Sequence, residues 1–489
     1  MVMGWTFVGG VWLMLSFVNA TRDRPNSAPK TVQVGEGSGS APQSRYVFIG
    51  GGSLPDSNEV QLEQDMLLAL DVFGENGIAL FAGGKQSNGV QVLGRMGGDD
   101  PLRQELGQFF SPRRGRDSTY RRHRVPALGP ATKKSVLRHV GEALREASSH
   151  GLLVFFSGHG DQGKQPKDNV AMLWGQGTLS VAEYVAVLEK ALAGPVVTVN
   201  TGCFSGGFAE MVFTSADPAL GPTTHERCGL FSTTWDLEAS GCDPDPDRRV
   251  QHGYGLHFLN ALRRRDRDGR LLPTEQLDMN ADGVISYLEA HSWVRIASRG
   301  IDVPTTTSER WLRYIGPEDE AFAAVDLPEE HAVIRALTLQ LRLPHEGGED
   351  AAKTTYDELQ SLLREHLDRL DRQKSMVDSA YLTALGSILS EWPVLDDPWH
   401  PDFESTLLGS RDSIRQWLDS NPMYQAYLAA LRTYERLDGE VQRLRLQSAP
   451  LERLLRATET VRLAGRLRAR GGPEWETYVR LLTCERRVP

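Results

Sequence analysis

Cysteine is scarce in this chain, with four among 489 residues, which excludes a fold built mainly on disulfides. Positive charge is short as well. Lys and Arg number 54 against 64 Asp and Glu, for a net charge of −10. That balance excludes a broad nucleic-acid face and argues against an anionic membrane surface as partner. Long apolar runs are missing beyond the first twenty residues, and no later segment is apolar enough to cross a bilayer. No internal repeat stands out. The basic stretch Arg113–Arg124 departs from the acidic balance, and its setting among Gly, Pro and Ser marks it as a solvated loop.

What is there describes a globular protein, 40% hydrophobic and 24% charged. The length predicts two or three domains. Trp5–Val18 is an apolar run too short for an untilted membrane span but suited to the core of a signal peptide. Val18 and Ala20 fit cleavage after Ala20. No Lys or Arg precedes the run, so an uncleaved N-terminal membrane anchor is the alternative for residues 1–20. Residues 21–45 are rich in Pro, Gly and Ser and read as a flexible linker. In an exported protein (periplasmic, cell-surface or extracellular) Cys228 and Cys242 would pair across a short loop and leave Cys484 over. Both staying free is the alternative.

Ordered structure is expected from Tyr46. Strands read at "YVFIGGG", "GIALFAGG", "LLVFFSGHG", "PVVTVNTGCFSGG" and "GLFSTTW", with helical stretches between them. Ser180 and Glu183 are spaced as a capping box, which starts a helix there. This alternation predicts an α/β domain over 46–316, a mostly parallel sheet with helices on both faces. From 317 to 489 the pattern turns helical. Tyr356, Leu359, Leu363, Leu367 and Leu370 form one apolar stripe, and Tyr427, Leu431, Tyr434, Val441 and Leu444 another. They predict an all-α C-terminal domain, a docking place for a protein partner or a cover for the site below.

Two strand ends carry chemistry. "LLVFFSGHGDQG" sets His159 between glycines after five apolar residues, where backbone and substrate can approach closely. "VVTVNTGCFSGG" delivers Cys203 from the next strand into a glycine-rich turn, and a thiol ionised by a nearby histidine is a strong nucleophile. In parallel sheets ligands bind beyond the carboxyl ends of the strands. His159 and Cys203 both fall there.

Together, His-Gly-x-x-Gly ("SGHGDQG") and Cys-x-Ser-Gly ("TGCFSGG") resemble the motifs of the caspase–legumain superfamily of cysteine peptidases. The two are 44 residues apart, room for one helix and one strand. The caspase pattern Gln-Ala-Cys-x-Gly is absent, so the legumain-like and exported bacterial caspase-like members are nearer. The resemblance covers about 46–316. It implies a caspase-like fold and an endopeptidase acting on a protein or peptide substrate. Cys203 would be the nucleophile and His159 the general acid/base, with the backbone amides of Gly160 and Cys203 as oxyanion hole. It requires no third triad member, and none is identified. Ser205 matches the serine after the legumain-type cysteine and is structural in this reading; His252 is a rival base. Asp236, Glu238, Asp243 and Asp245 are candidates for a basic-residue pocket or a solvated loop, so specificity stays open. The reading from another class is a catalytically inactive caspase-like scaffold acting through the C-terminal helices. A hydrolase or acyltransferase using the same dyad on a non-peptide substrate is a third.

A second motif points to calcium. "DMNADGVISYLE" fits an EF-hand loop, with Asp278, Asn280 and Asp282 at positions 1, 3 and 5. Gly283 makes the turn, Val284 offers its carbonyl, Ser286 stands at position 9 and Glu289 at position 12. No partner hand is evident, so the ion would be structural or regulatory.

Overall fold

The computed structural model describes residues 45–74, 77–93, 100–110, 118–146, 151–190, 194–318, 321–344, 346–397 and 400–489. The expected signal peptide or anchor and all of the linker except Arg45 lie outside them. So does part of the basic run.

Five parallel strands and one antiparallel strand form the central sheet. They are β1 (Arg45–Gly50), β2 (Ile78–Phe81), β3 (Leu152–Ser157), β4 (Val196–Asn200), β5 (Arg227–Phe231) and β6 (Thr305–Thr306). Their order across the sheet is β2–β1–β3–β4–β5–β6, with β6 antiparallel to β5. β3 and β4 are near-continuous apolar runs because both faces are covered. Phe48, Phe155, Val197 and Val199 face one layer, and Val47, Val154, Phe156 and Val196 the other.

Helices fill both layers, as the alternating pattern predicts. α1 (Val60–Phe73) packs on the first face, while α2 (Lys133–Glu146) and α3 (Val181–Leu188) pack on the second. α4 (Tyr254–Leu262) and α5 (Tyr287–Ala297) join α1. The capping box is present at α3: Glu183 N donates to Ser180 Oγ at 3.2 Å, and Ser180 N donates to Glu183 Oε2 at 3.0 Å. β5 begins two residues before the expected strand, and β6 carried no strand pattern because it is two residues long.

The helical C-terminal region exists, but 317 does not mark a compact unit. The chain divides into one unit of residues 44–363 with 444–489, and a second containing 364–443. Within the first, α6 (Thr307–Ile315) follows β6 and receives the last helix of the chain. The long helices α7 (Gly348–Glu391) and α8 (Pro422–Arg470) lead to that last helix, α9 (Gly472–Glu485). Tyr478 and Leu481 of α9 are buried with Phe213, Trp311 and Leu312. Glu485 accepts from Thr307 Oγ1 at 2.6 Å and from Ser308 N at 2.7 Å.

The disulfide is also not the expected one. Cys228 bonds Cys484, with Cα atoms 6.0 Å apart, and Cys203 and Cys242 are free thiols. Cys228 lies in β5 under α9, whereas Cys242 sits in a loop at the carboxyl ends of the strands, so the pair close in sequence is apart in the fold. In the second unit Tyr427 and Val441 are buried, 3% and 1% exposed, so two members of the second stripe are core. Tyr424 packs at a tilt against Trp417 and Tyr427 there. No helix among the described residues is long and apolar enough to cross a membrane.

Candidate active site

β3 and β4 are neighbours, with Phe156 paired to Asn200. His159 and Cys203 each stand three residues past that pair, so register alone sets them at one level beyond the sheet. Asn200 Oδ1 accepts from Gly202 N at 3.0 Å and turns the chain toward Cys203. Gly160 is pressed against the turn: a Cβ there would lie 2.1 Å from the Cys203 carbonyl oxygen. Only glycine permits that approach, which answers the glycine flank seen in the motif. Ser205 is buried and shares a hydrogen bond of 2.9 Å with Ser232 Oγ, a structural position.

His159 is held from two sides. Its Nε2 is 3.0 Å from Glu59 Oε2 and 2.8 Å from Ser57 O, and its Nδ1 is 3.4 Å from Cys242 Sγ. Glu59 caps the approach to α1 and is 2% exposed. Burial alone would lower the imidazole pKa. The sulfur of Cys242 and the carboxylate of Glu59 outweigh it and hold His159 well above its usual value.

Cys203 has different partners. Ala239 N donates to its Sγ at 3.3 Å, and its thiol donates to Ala239 O at 3.7 Å. Burial, reinforced by Cys242, pushes this thiol up to about 12, against the opposing pull of Ala239 N–H and His159. Cys203 is therefore a neutral thiol at neutral pH in this arrangement. The two motif residues are brought together at adjacent strand ends, yet no hydrogen bond joins them.

The segment Ala239–Asp243 lies over the strand ends. Ser240 N donates to Asp302 Oδ1 at 2.5 Å, Ile301 N to Ser240 Oγ at 2.9 Å and Gln61 N to Asp243 O at 3.2 Å. Cys242 has φ +61°, in the left-handed region. A cleft beneath is lined by Gln61, Thr201, Cys203, Ala239, Cys242 and Tyr254. Glu59 and Cys242 carried no sequence signal as site residues.

The remaining candidates lie around the same segment or further off. Glu238 is paired with Arg445 at 2.5 Å, Asp236 accepts from Thr234 Oγ1 at 2.7 Å, and Asp243 and Asp245 accept backbone N–H groups within their own loop. These acids are occupied as loop braces. Burial and Arg267 lower the pKa of His252, whose carbonyl accepts from Ser298 Oγ.

In the 278–289 loop, Asp278 accepts from Asp282 N at 3.0 Å and Gly283 N at 2.9 Å, and Asp282 accepts from Val284 N at 2.9 Å. Gly283 takes φ +88°. Ser286 and Glu289 form a second capping box, opening α5. The donor set is all oxygen, which fits a hard cation such as calcium. Among the described residues, one group of three His, Cys, Asp or Glu ligand atoms lies within 4.8 Å of one another, and it is Glu59, His159 and Cys242. No protein-family model matches this chain, and no curated protein sequence matches it.

Proposed function

We propose that this chain is an exported cysteine endopeptidase of caspase-like type, in which Cys203 attacks the peptide carbonyl and His159 moves the proton. One observation carries the reading: the paired strands β3 and β4 end at His159 and Cys203 at the same level, with Gly160 packed on the Cys203 carbonyl. In the reaction, once Cys242 has withdrawn with its segment and His159 has released its proton to solvent, the Cys203 thiol gives its proton to the neutral ring and the thiolate adds to the carbonyl. Backbone N–H groups of Gly160 and Cys203 receive the oxyanion. His159 then protonates the leaving amine, and the acyl-enzyme forms. Water, deprotonated by His159, attacks it and frees Cys203. Glu59 is the positioning residue, fixing the ring and favouring its protonated form.

As drawn, Cys203 is neutral and bonded to Ala239, so the Ala239–Asp243 segment must withdraw before substrate enters. This is a latent arrangement. Export is supported by the Cys228–Cys484 disulfide, which persists in oxidising compartments. Calcium would be held by Asp278, Asn280, Asp282, Ser286, Glu289 and the Val284 carbonyl. It would brace the start of α5 and supplies no chemistry to the peptide step.

The inactive scaffold is the second reading, favoured by the unionised Cys203 and its Ala239 partners. The test uses the full chain, with and without calcium, on fluorogenic peptides bearing Arg, Lys, Asn or Asp before the cleaved bond. Cleavage abolished by Cys203→Ala supports the proposal. Cleavage retained in Cys203→Ala and lost in Cys242→Ala moves the nucleophile to Cys242. No cleavage, with Cys203 inert to alkylating probes, supports the scaffold.

A further inference from the structure

His159 carries two more partners than a dyad needs. Glu59 approaches one ring nitrogen and Cys242 the other, and both came from distant parts of the chain. The catalytic cycle above uses Glu59 to orient the ring, but it has no use for the Cys242 thiol. Cys242 is free, since the disulfide partner of Cys228 is Cys484.

A thiol, an imidazole and a carboxylate are the ligand set of zinc, whereas calcium and magnesium take oxygen alone. Here the three ligand atoms lie within 4.8 Å of one another. A tetrahedral zinc, at about 2.0–2.3 Å from each ligand, separates them by roughly 3.5 Å. Closing the set brings the carboxylate and the sulfur to the same ring nitrogen, which takes a turn of the imidazole and a shift of the Cys242 loop. The carboxylate is fixed by burial at 2% exposure, and the sulfur sits on a loop rather than in a helix or strand.

We infer that Glu59, His159 and Cys242 form a zinc site that silences the enzyme. The thiol of Cys242 loses its proton to solvent as its sulfur takes the metal, and His159 binds through one ring nitrogen in its neutral form. A solvent molecule completes the fourth position. Metal on His159 removes the proton carrier, and metal on Cys242 pins the Ala239–Asp243 segment over Cys203. The binding stands on these three residues alone; the silencing rests on the peptidase reading.

Cobalt(II) is the probe, because sulfur bound to cobalt gives a charge-transfer absorption that oxygen ligands cannot produce. The full chain is titrated with cobalt in saturating calcium, which keeps the all-oxygen 278–289 loop out of the signal. Zinc affinity is then read by competition with a chromogenic chelator. The expected result is one equivalent bound with the sulfur band. Cys242→Ser should lose the band and bind zinc roughly 100-fold more weakly or worse, beyond what loss of a mere outer-shell partner costs. Glu59→Gln should keep the band but weaken binding, and Cys203→Ser should change neither. Serine is near-isosteric and leaves the disulfide untouched, and circular dichroism checks each variant's fold. Absence of the band in the wild-type chain overturns the site. So does a band lost in Cys203→Ser and kept in Cys242→Ser.

The cleavage assay separates the two proposals. Stoichiometric zinc that abolishes cleavage in the wild type, but not in Cys242→Ser, supports the silencing. A sulfur band without any cleavage leaves the metal site standing and overturns the peptidase. Cleavage indifferent to bound zinc overturns the silencing.

Discussion

At His159 the ring is caught between a carboxylate 3.0 Å away on one side and a sulfur 3.4 Å away on the other. The carboxylate orients the ring, and its loss should show in turnover more than in binding. Glu59→Gln keeps an acceptor at the same place but removes the charge. Its kcat should fall about tenfold, near 1.4 kcal/mol of transition-state stabilisation, while KM stays the same. A KM that rises with kcat unchanged would instead make Glu59 a binding or folding residue. His159 and Cys203 were legible because each follows an apolar run and adjoins glycines. Glu59 and Cys242 were not, since they stand 100 and 83 residues from His159, and only the folded chain brings them there. The fit of Gly160 against the Cys203 carbonyl lay between: the glycine was visible, its contact was not.

Among the elements, strands β1–β5 and the Ser180–Glu183 capping box follow local rules, so α3 could be started from sequence, whereas the box that opens α5 was read as part of the calcium loop. The Ala239–Asp243 segment follows none. It has no periodicity, and its main anchor, Asp302, lies 62 residues further on. That anchor also titrates. Burial pushes the Asp302 carboxyl from the usual 3.8 up to about 7, despite the Ser240 N–H and the nearby Arg453. The native chain then keeps a proton that the unfolded chain has released. Stability from this group is full below the usual carboxylate pKa and is lost as pH rises from about 4 to about 7. Asp302→Asn copies the neutral form, so its urea midpoint should be flatter than the wild type's across that interval. An unchanged slope would assign the pH dependence to other groups.

For the molecule as a whole, the sequence pattern separates an α/β part from a helical part, while the compact units divide at 364 and 444. An amphipathic stripe looks alike whether it covers another helix or a sheet, so α9 gave no sign that it returns to β5. The return is fastened covalently, across 256 residues of chain. A cross-link enclosing that much chain restrains the unfolded state by about 5.5 kcal/mol in the chain-entropy model. Reduction, or Cys484→Ser, should lower the denaturant midpoint accordingly, with unchanged far-ultraviolet dichroism before unfolding. If reduction leaves the midpoint alone, the packing of Tyr478, Leu481 and Glu485 holds α9 without it.

The same cross-link makes the protein a lasso whose knot is at Cys228. A single nick in the 364–443 helices would open the loop of the lasso and shed nothing, because both pieces hang from one knot. The nicked protein would run as one species on a non-reducing gel and as two after reduction. Discarding the tail as a propeptide therefore takes a reductant or a cut beyond the knot on its sheet side, and trimming alone yields a two-chain molecule.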